Sequence, residues 1–159
     1  MKFTAVGDIL CQRRMAEDYE GFREVKEFIE RGDAGFFNLE TTVHKEGECY
    51  GNQFSGGTYI RCNPDDMKDV LKLGFNMVSF NNNHLMDFAH EGILKTLEYV
   101  GETGIVHAGV GRNLHEAAAL PIATARPLRG FLRLALAFTG AAAPTPARNG
   151  WRRIPLPWD

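Results

Sequence analysis

The sequence lacks the features that define several specialised classes of protein. It has no long uninterrupted apolar run, and its start, Met1-Lys2-Phe3, leads directly into an apolar strand. We therefore predict no signal peptide and no membrane segment, and we expect a cytoplasmic chain. The three cysteines, Cys11, Cys49 and Cys62, are too few for a small disulfide framework and match no zinc-knuckle spacing, so they receive no role. A formal net charge of −2 excludes a basic nucleic-acid surface.

The last part of the chain lacks lysine and nearly all acidic residues. Residues 1–116 contain 19 of the 20 acidic residues and every lysine, whereas residues 117–159 contain one acid, six arginines, 11 alanines and six of the seven prolines. One interpretation is a basic, proline-rich and loosely ordered tail. The other is translation of a GC-rich gene in a shifted reading frame, which the downstream DNA sequence would reveal. Both stay open, and we divide the chain into a domain at 1–120 and a tail at 121–159.

What is present is the composition of one soluble globular domain, with 159 residues, 44% hydrophobic and 24% charged. Apolar periodicity predicts alternating strands and helices. The strands are expected at residues 2–6, 34–39, 75–80 and 104–107, and the helices at 21–31, 63–74, 90–100 and, as one turn, 113–117. Residues 44–58 are rich in glycine and indicate a long loop. This alternation predicts an α/β fold with a mainly parallel sheet.

Polar side chains follow the first three predicted strands. Asp8 comes after the first strand, Asn38 and Glu40 come at the end of the second, and residues 81–87 after the third contain three asparagines, His84 and Asp87. Because the carboxyl ends of parallel strands meet at one edge of a sheet, we expect these groups to share a crevice. Carboxylate, amide and imidazole groups together suit a divalent metal such as Mn²⁺, Fe²⁺ or Zn²⁺, with one or two ions bound.

Each of these groups also has a simpler interpretation. Asp8 could belong to an ordinary turn, Glu40 could be a solvated loop acid, and His84 could be a packed histidine. Asp87 could cap the helix that follows it. Three consecutive asparagines are poor core material, because a buried amide without partners costs roughly 1–3 kcal/mol. The recurrence of polar groups at successive strand ends favours a functional site.

Other polar features carry weaker signals. The remaining histidines are expected at the surface or in loops: His44, His90, His107 and His115. Residues 109–113 are glycine-rich before a helix and could cradle an anion. They lack a full phosphate-loop or dinucleotide pattern, so a tight turn between a strand and a helix is the favoured interpretation.

The polar motifs resemble those of the CapA family, which is associated with poly-γ-glutamate capsule synthesis and belongs to the calcineurin-like metallophosphatase superfamily. The resemblance covers residues 3–120 and rests, in order, on Gly7-Asp8, Asn38-Leu39-Glu40, Asn82-Asn83-His84-Leu85-Met86-Asp87, Gly92, Thr96 and the segment 109–114. It implies a metallophosphatase-like α/β/β/α sandwich, of which this chain would form the N-terminal half. It also implies a metal-dependent hydrolase of phosphoester or γ-glutamyl bonds.

Carried over residue by residue, the resemblance implies a role for five side chains. Asp8, Glu40 and Asn83 would be metal ligands, with Glu40 in the bridging position and Asn83 binding through its amide oxygen. His84 would be the catalytic proton donor or oxyanion stabiliser. Asp87 would orient the His84 imidazole, which keeps one tautomer and can then protonate a leaving group.

The chain departs from the family pattern in its second half. CapA-like proteins carry further histidines there, in His-Trp-Gly-like and Gly-His-His-Pro-His-like motifs, whereas no histidine follows His115 in this sequence. We therefore expect a truncated, weak or inactive hydrolase that acts on polyglutamate or a phosphoester with capsule-synthesis partners. The alternatives are a non-catalytic accessory or binding subunit and a degenerate gene product. Family members often work outside the membrane behind an anchor, which is not visible here.

Overall fold

Four parallel strands form the main sheet of this protein, as the sequence predicts. The computed structural model describes residues 2–53, 57–117 and 119. The strands are β1 (Phe3–Ile9), β2 (Ala34–Leu39), β3 (Thr42–Val43), β4 (Arg61–Cys62), β5 (Met77–Ser79) and β6 (Val106–Ala108). The helices are α1 (Phe22–Ile29), α2 (Pro64–Leu71), α3 (Ala89–Glu102) and α4 (Leu114–Ala117). The tail predicted at 121–159 lies outside the described residues.

The main sheet has the strand order β1-β2-β5-β6, and all its neighbouring strands are parallel. The predicted fold class, α/β with a mainly parallel sheet, is therefore confirmed. The sequence did not indicate β3 and β4, which pair in parallel as a separate two-stranded sheet. Strands of two residues are too short to show an alternation of apolar and polar positions.

Two asparagine caps begin helices where the sequence predicts them. The Asn63 side chain accepts a hydrogen bond from the Asp65 amide at 3.0 Å, and Pro64 occupies the first turn of α2. The Asn113 side chain accepts from the Glu116 amide at 3.0 Å before α4. Each cap satisfies an amide that the first turn of a helix leaves without a partner.

The core lies on one face of the main sheet. Crossovers between adjacent parallel strands are right-handed, so a sheet with strands in chain order carries its helices on one face. The core cluster agrees with this arrangement, because its members from β2 and β5 all belong to one side of those strands: Phe37, Leu39 and Val78. They pack with apolar side chains from the first three helices, including Ile29, Met67, Val70, Ile93 and Val100.

The opposite face of the sheet is unevenly covered, since Ala34 and Met77 are buried there while other residues are not. Phe3 is 40% exposed, Ala5 is exposed, and Phe36 and Val106 are partly exposed. The Phe3 and Phe36 rings lie 6.2 Å apart on this face. Among the described residues, the strand order places no helix on this face.

His44 lies in a loop, which is one of its two expected positions, but it is not at the surface. His44, expected at the surface or in a loop, is 1% exposed and packs edge-on against Phe88 with ring centroids 4.4 Å apart. Burial lowers the pKa of His44, because the charged imidazolium is disfavoured away from water. The residue follows β3, a strand that the sequence did not reveal, and this explains why its burial was missed.

The assignment of no role to the cysteines is wrong for two of the three. Cys11, after β1, and Cys62, in β4, form a disulfide with Cα atoms 5.2 Å apart, and Cys49 remains a buried free thiol. The two partners lie 51 residues apart in the chain. Only the unpredicted position of β4 beside the end of β1 brings them together, so spacing alone could not identify the pair.

The helices of the described residues include none long and apolar enough to cross a membrane.

We predict that the disulfide stabilises the fold by roughly 2–4 kcal/mol, because it closes a loop of this length in the unfolded chain. Tris(2-carboxyethyl)phosphine should lower the melting temperature of the wild-type protein and of Cys49→Ala alike. The double variant Cys11→Ala/Cys62→Ala should start from a lower melting temperature and not respond to the reductant. An equal response of this double variant would contradict the assignment.

A buried carboxylate anchors the segment between β1 and α1. Asp69 of α2 accepts hydrogen bonds from Arg14 Nε at 2.6 Å, Arg14 Nη2 at 3.1 Å, the Met15 amide at 3.2 Å and Lys72 Nζ at 3.0 Å. The hydrogen bond from Arg14 is the largest of the effects that hold the pKa of Asp69 well below its usual range, and it acts against burial. Asp69 therefore favours its charged form in the folded state.

We predict that Asp69→Asn lowers the free energy of unfolding by roughly 2 kcal/mol at pH 7. Because the folded pKa is depressed, the contribution of Asp69 is present above the unfolded pKa of about 3.9 and is lost as pH falls towards the folded pKa. The difference between the variant and wild type should therefore shrink between pH 7 and pH 3 in urea denaturation. Asp65→Asn, at an exposed position of the same helix, should change stability by less than about 0.5 kcal/mol. A pH-independent difference for Asp69→Asn would contradict this assignment.

Candidate active site

A bulge in β1 brings Asp8 to the site. Ala5 pairs with Phe36, but Asp8 pairs with Asn38, so β1 uses three steps where β2 uses two. Without the extra residue Asp8 would lie opposite Leu39, and its side chain would point towards the core. The bulge instead turns Asp8 to the face of the sheet that carries Asn38.

The sequence holds a signal of this bulge that the strand prediction did not use. Val6 and Ile9 both pack against the core although they are three positions apart, which breaks the alternation of a regular strand. Gly7 lies between them, and an isolated glycine inside a strand often marks a bulge. The predicted strand ended at residue 6, whereas β1 continues to Ile9 and includes Asp8.

Asn38 joins the two carboxylates that the sequence placed at the site. Its Nδ2 donates to Asp8 Oδ1 at 2.7 Å and to Glu40 Oε2 at 2.8 Å. Burial is the main cause that raises the pKa of Glu40, and the hydrogen bond to Asp8 and the charge of Asp8 add to it. His84 and Asn38 act in the opposite direction. The two acids thus share one amide donor, and their proximity favours the protonated form of Glu40.

The imidazole of His84 lies beside this pair. Its Nδ1 is 2.8 Å from Asp87 Oδ2, and its Nε2 is 4.0 Å from Glu40 Oε1. A carboxylate can only accept, so Nδ1 carries the proton and Nε2 is the nitrogen that faces Glu40. This is the pairing that the family resemblance implied, and the catalytic role of His84 stays a prediction.

Asp87 is held in place by the long loop rather than by the helix that follows. It is 4% exposed, and its Oδ2 also accepts from the Ile60 amide at 2.9 Å. The simpler interpretation, in which Asp87 caps this helix, does not hold, because α3 begins after Phe88 without a side-chain cap. Asn52 adds two further contacts from the loop, to the backbone oxygens of Asp87 at 2.7 Å and Met86 at 3.1 Å.

Of the three consecutive asparagines, Asn82 is the one that joins the site network. Its Nδ2 donates to Leu39 O at 2.8 Å and to Asn38 Oδ1 at 3.2 Å, and its Oδ1 accepts from the His84 amide at 3.0 Å. Asn83 is exposed and has no hydrogen bond within the described part of the chain. Its expected role as a ligand stays a prediction. The turn after β5 decides which amide points inward, and the run of identical residues conceals this choice.

The later motif residues support the site through packing. Thr96 of α3 is fully buried, accepts from the Val43 amide at 2.8 Å and donates to Gly92 O at 2.7 Å. A Cβ on Gly92 would lie 2.6 Å from Phe88 Cβ, so a glycine is required here to leave room for the Phe88 side chain at the start of α3. Thr96 therefore fixes α3 against β3.

The donor types at this site fit a divalent cation, but the side chains do not form a ready coordination shell. Asp8, Glu40 and His84 supply two carboxylates and an imidazole, and the shared donor at Asn38 shows that the acids lie close together. Among residues 2–53, 57–117 and 119, no three His, Cys, Asp or Glu side chains are grouped closely enough to hold a metal ion. The donor types of these residues therefore fit a divalent metal, but the side chains are not arranged as a complete coordination shell.

Comparison with known proteins identifies the family. The family model described as bacterial capsule synthesis protein PGA_cap matches residues 2–154. The chain belongs to the PGA_cap family. The matched range includes the motifs quoted above and continues into the Ala/Arg/Pro-rich segment, beyond residues 3–120 on which the resemblance was based. The frameshift and tail interpretations of that segment stay predictions.

Relatives of this PGA_cap chain are longer than it is. It is 35% identical over 163 residues to an uncharacterized protein of Sinorhizobium fredii, covering 96% of this chain and 35% of the relative. It is 25% identical over 123 residues to the capsule biosynthesis protein CapA of Bacillus anthracis, covering 73% and 30%. It is 29% identical over 82 residues to a probable polyglutamine synthesis accessory protein of Mycobacterium tuberculosis, covering 52% and 21%. The chain thus spans about a third of the relatives' length or less.

We predict that Asp87→Ala exposes the long loop to proteolysis, because it removes the acceptor of the Ile60 amide. His84→Ala is the matched control, since it removes the other partner of Asp87 and keeps the bond to Ile60. Limited trypsin digestion should cleave after Lys45 several-fold faster in Asp87→Ala than in His84→Ala. Equal cleavage rates would show that Asp87 does not hold the loop.

Proposed function

We propose that this chain is a capsule-synthesis protein with the site of a metal-dependent hydrolase that acts on phosphoester or γ-glutamyl bonds. Membership of the PGA_cap family supports the process. Relatives named for capsule biosynthesis and for polyglutamine synthesis support an amino-acid polymer as the substrate, for which we propose polyglutamate. The observation that carries the hydrolase proposal is the convergence of Asp8, Glu40 and an oriented His84 at one edge of the sheet.

Asp8 and Glu40 would hold the cation in this proposal, with Asn83 as the amide ligand that the family resemblance implies. Mn²⁺, Fe²⁺ and Zn²⁺ all accept this mixture of oxygen and nitrogen ligands, and one or two ions are compatible with it. A bound cation supplies an activated water and neutralises developing negative charge on an oxyanion. Protonation of Glu40 competes with the cation, and its raised pKa extends this competition to higher pH than for an ordinary glutamate.

His84 would move the proton. Its Nδ1–H is fixed by Asp87, so its Nε2 faces the carboxylates and the cleft in front of them. A protonated Nε2 can deliver a proton to the departing oxygen or nitrogen, which avoids a charged leaving group. Asp87 stabilises the imidazolium and keeps the ring in this orientation, since it is itself held by the Ile60 amide.

We predict that the purified chain binds Mn²⁺ and that Asp8→Ala/His84→Ala abolishes this binding in isothermal titration calorimetry. Asp65→Ala/His115→Ala also removes one acid and one histidine, both from exposed positions outside the site, and should bind like wild type. Hydrolysis of bis(p-nitrophenyl) phosphate and γ-glutamyl-p-nitroanilide then separates the two substrate classes. Absence of Mn²⁺ and Zn²⁺ binding by the wild-type chain would reject the hydrolase proposal.

A non-catalytic accessory or binding role is the second candidate, and one observation favours it. The described residues contain no ready cluster of three metal-binding side chains, so the same crevice could bind a substrate without chemistry. Binding of poly-γ-glutamate by a chain that neither binds metal nor hydrolyses either probe would support this role. A chain that aggregates on size exclusion and unfolds without cooperativity would instead support the degenerate gene product.

The disulfide bears on where the chain works. The expected cytoplasmic location stays a prediction, and capsule-synthesis partners remain part of the proposal. Disulfides form and persist mainly in oxidising compartments outside the cytoplasm. The Cys11–Cys62 pair therefore favours a location on the outer side of the membrane over the cytoplasmic one.

A further inference from the structure

Two asparagines to which the sequence analysis gave no individual role hold the parts of the site together. Asn38 lies at the end of β2 and contacts both acids, and Asn82 lies in the turn after β5 and contacts His84 through its backbone. We propose that Asn38 and Asn82 form an amide relay that positions Asp8, Glu40 and His84 for cation binding. This inference rests on the proposed function, because it concerns the same site.

All the hydrogen-bonding groups of the Asn38 side chain are directed at the site. The two hydrogens of Nδ2 serve Asp8 and Glu40, and Oδ1 accepts from Asn82. The amide cannot rotate by half a turn without placing its oxygen against two carboxylates, which would be repulsive. Asn38 is therefore fixed in the orientation that draws the acids together.

The amide compensates part of the repulsion between Asp8 and Glu40. Within the described part of the chain, no lysine or arginine forms an ion pair with either acid, and the neighbouring imidazole is 4.0 Å away from Glu40. Without the Asn38 donor, the two like charges would favour conformations in which they move apart. A cation would then have to bring them together again, and this cost would reduce its affinity.

Asn82 attaches the turn that carries His84 to the same part of β2. Its Nδ2 is anchored on Leu39 O and on Asn38, both at the end of β2, while its Oδ1 receives the backbone amide of His84. The turn is thereby attached to β2 at the level of the two acids. Asn38 and Asn82 contact each other, so their substitutions should not act independently.

A similar asparagine at the other end of the sheet provides a matched control. Asn76 precedes β5, its Oδ1 accepts from the Gly35 amide at 2.9 Å, and its Nδ2 donates to Asp33 O at 3.3 Å. It therefore joins the start of β2 to the chain before β5, and it is partly buried like Asn38. Asn76→Ala removes bonds that hold the same strand at the edge of the sheet away from the site.

Mn²⁺ binding to the full chain, measured by calorimetry and by electron paramagnetic resonance of the bound ion, tests the relay. Asn38→Ala should weaken binding about tenfold or more, Asn82→Ala should weaken it by a smaller factor, and the double variant should resemble Asn38→Ala. Asn76→Ala should keep the wild-type affinity and spectrum. Urea denaturation of each variant shows whether Asn76→Ala and Asn38→Ala lose comparable stability.

Each outcome decides between the proposals. Wild-type affinity in Asn38→Ala would overturn the relay and leave the proposed function standing, and so would an equal loss in Asn76→Ala. Additive losses in the double variant would overturn the coupling between the two asparagines. A wild-type chain that binds no Mn²⁺ would overturn the proposed function and the relay together. If Asn38→Ala does not fold, Asn38→Ser, which keeps a single short donor, takes its place with the same expectations.

Discussion

The register between β1 and β2 is the constraint on which the candidate site depends. A regular β1 would direct Asp8 towards the core beside Leu39, where an unpaired carboxylate would be strongly destabilising. The bulge allows Ile9 to enter the core while Asp8 meets Asn38 on the opposite face. One additional residue thus reconciles two requirements, an apolar interior and an acidic strand end, that a regular alternation could not satisfy together.

The second part of the site depends on a tertiary contact that is distant in sequence. The oxygen of Asp87 that contacts the His84 imidazole also accepts from the Ile60 amide, so the end of the long loop helps to hold the carboxylate that orients His84. The loop is in turn connected to the end of β1 by the Cys11–Cys62 disulfide, two residues beyond Ile60. The segments bearing Asp8 and His84 are therefore linked by two routes, one through the Asn38 amide and one through the loop.

The sequence predicted the features that arise from local patterns. Periodicity identified the four strands of the main sheet, and the capping chemistry of Asn63 identified the start of α2. It missed what depends on chain segments meeting in space: the two-residue strands, the disulfide, the burial of His44 and the choice of Asn82 over its neighbour. The position of Asp8 falls between these two groups of features. The bulge was not predicted from the sequence, although the glycine and the irregular apolar spacing around Asp8 indicate it. In each case the missing information was a register or a long-range pairing, which residue type alone does not specify.

The charge of the site determines the order in which the proposed cation and substrate can bind. Both proposed substrate classes, phosphoesters and polyglutamate, are anionic, whereas Asp8 and Glu40 present two acids that share a single amide donor. An anion that approached the metal-free site would meet repulsion in a partly buried environment where screening by water is weak. Neutralisation of the acids must therefore precede productive binding of either substrate. An arrangement that keeps the acids close before neutralisation, as Asn38 does, favours the cation over the substrate as the first ligand.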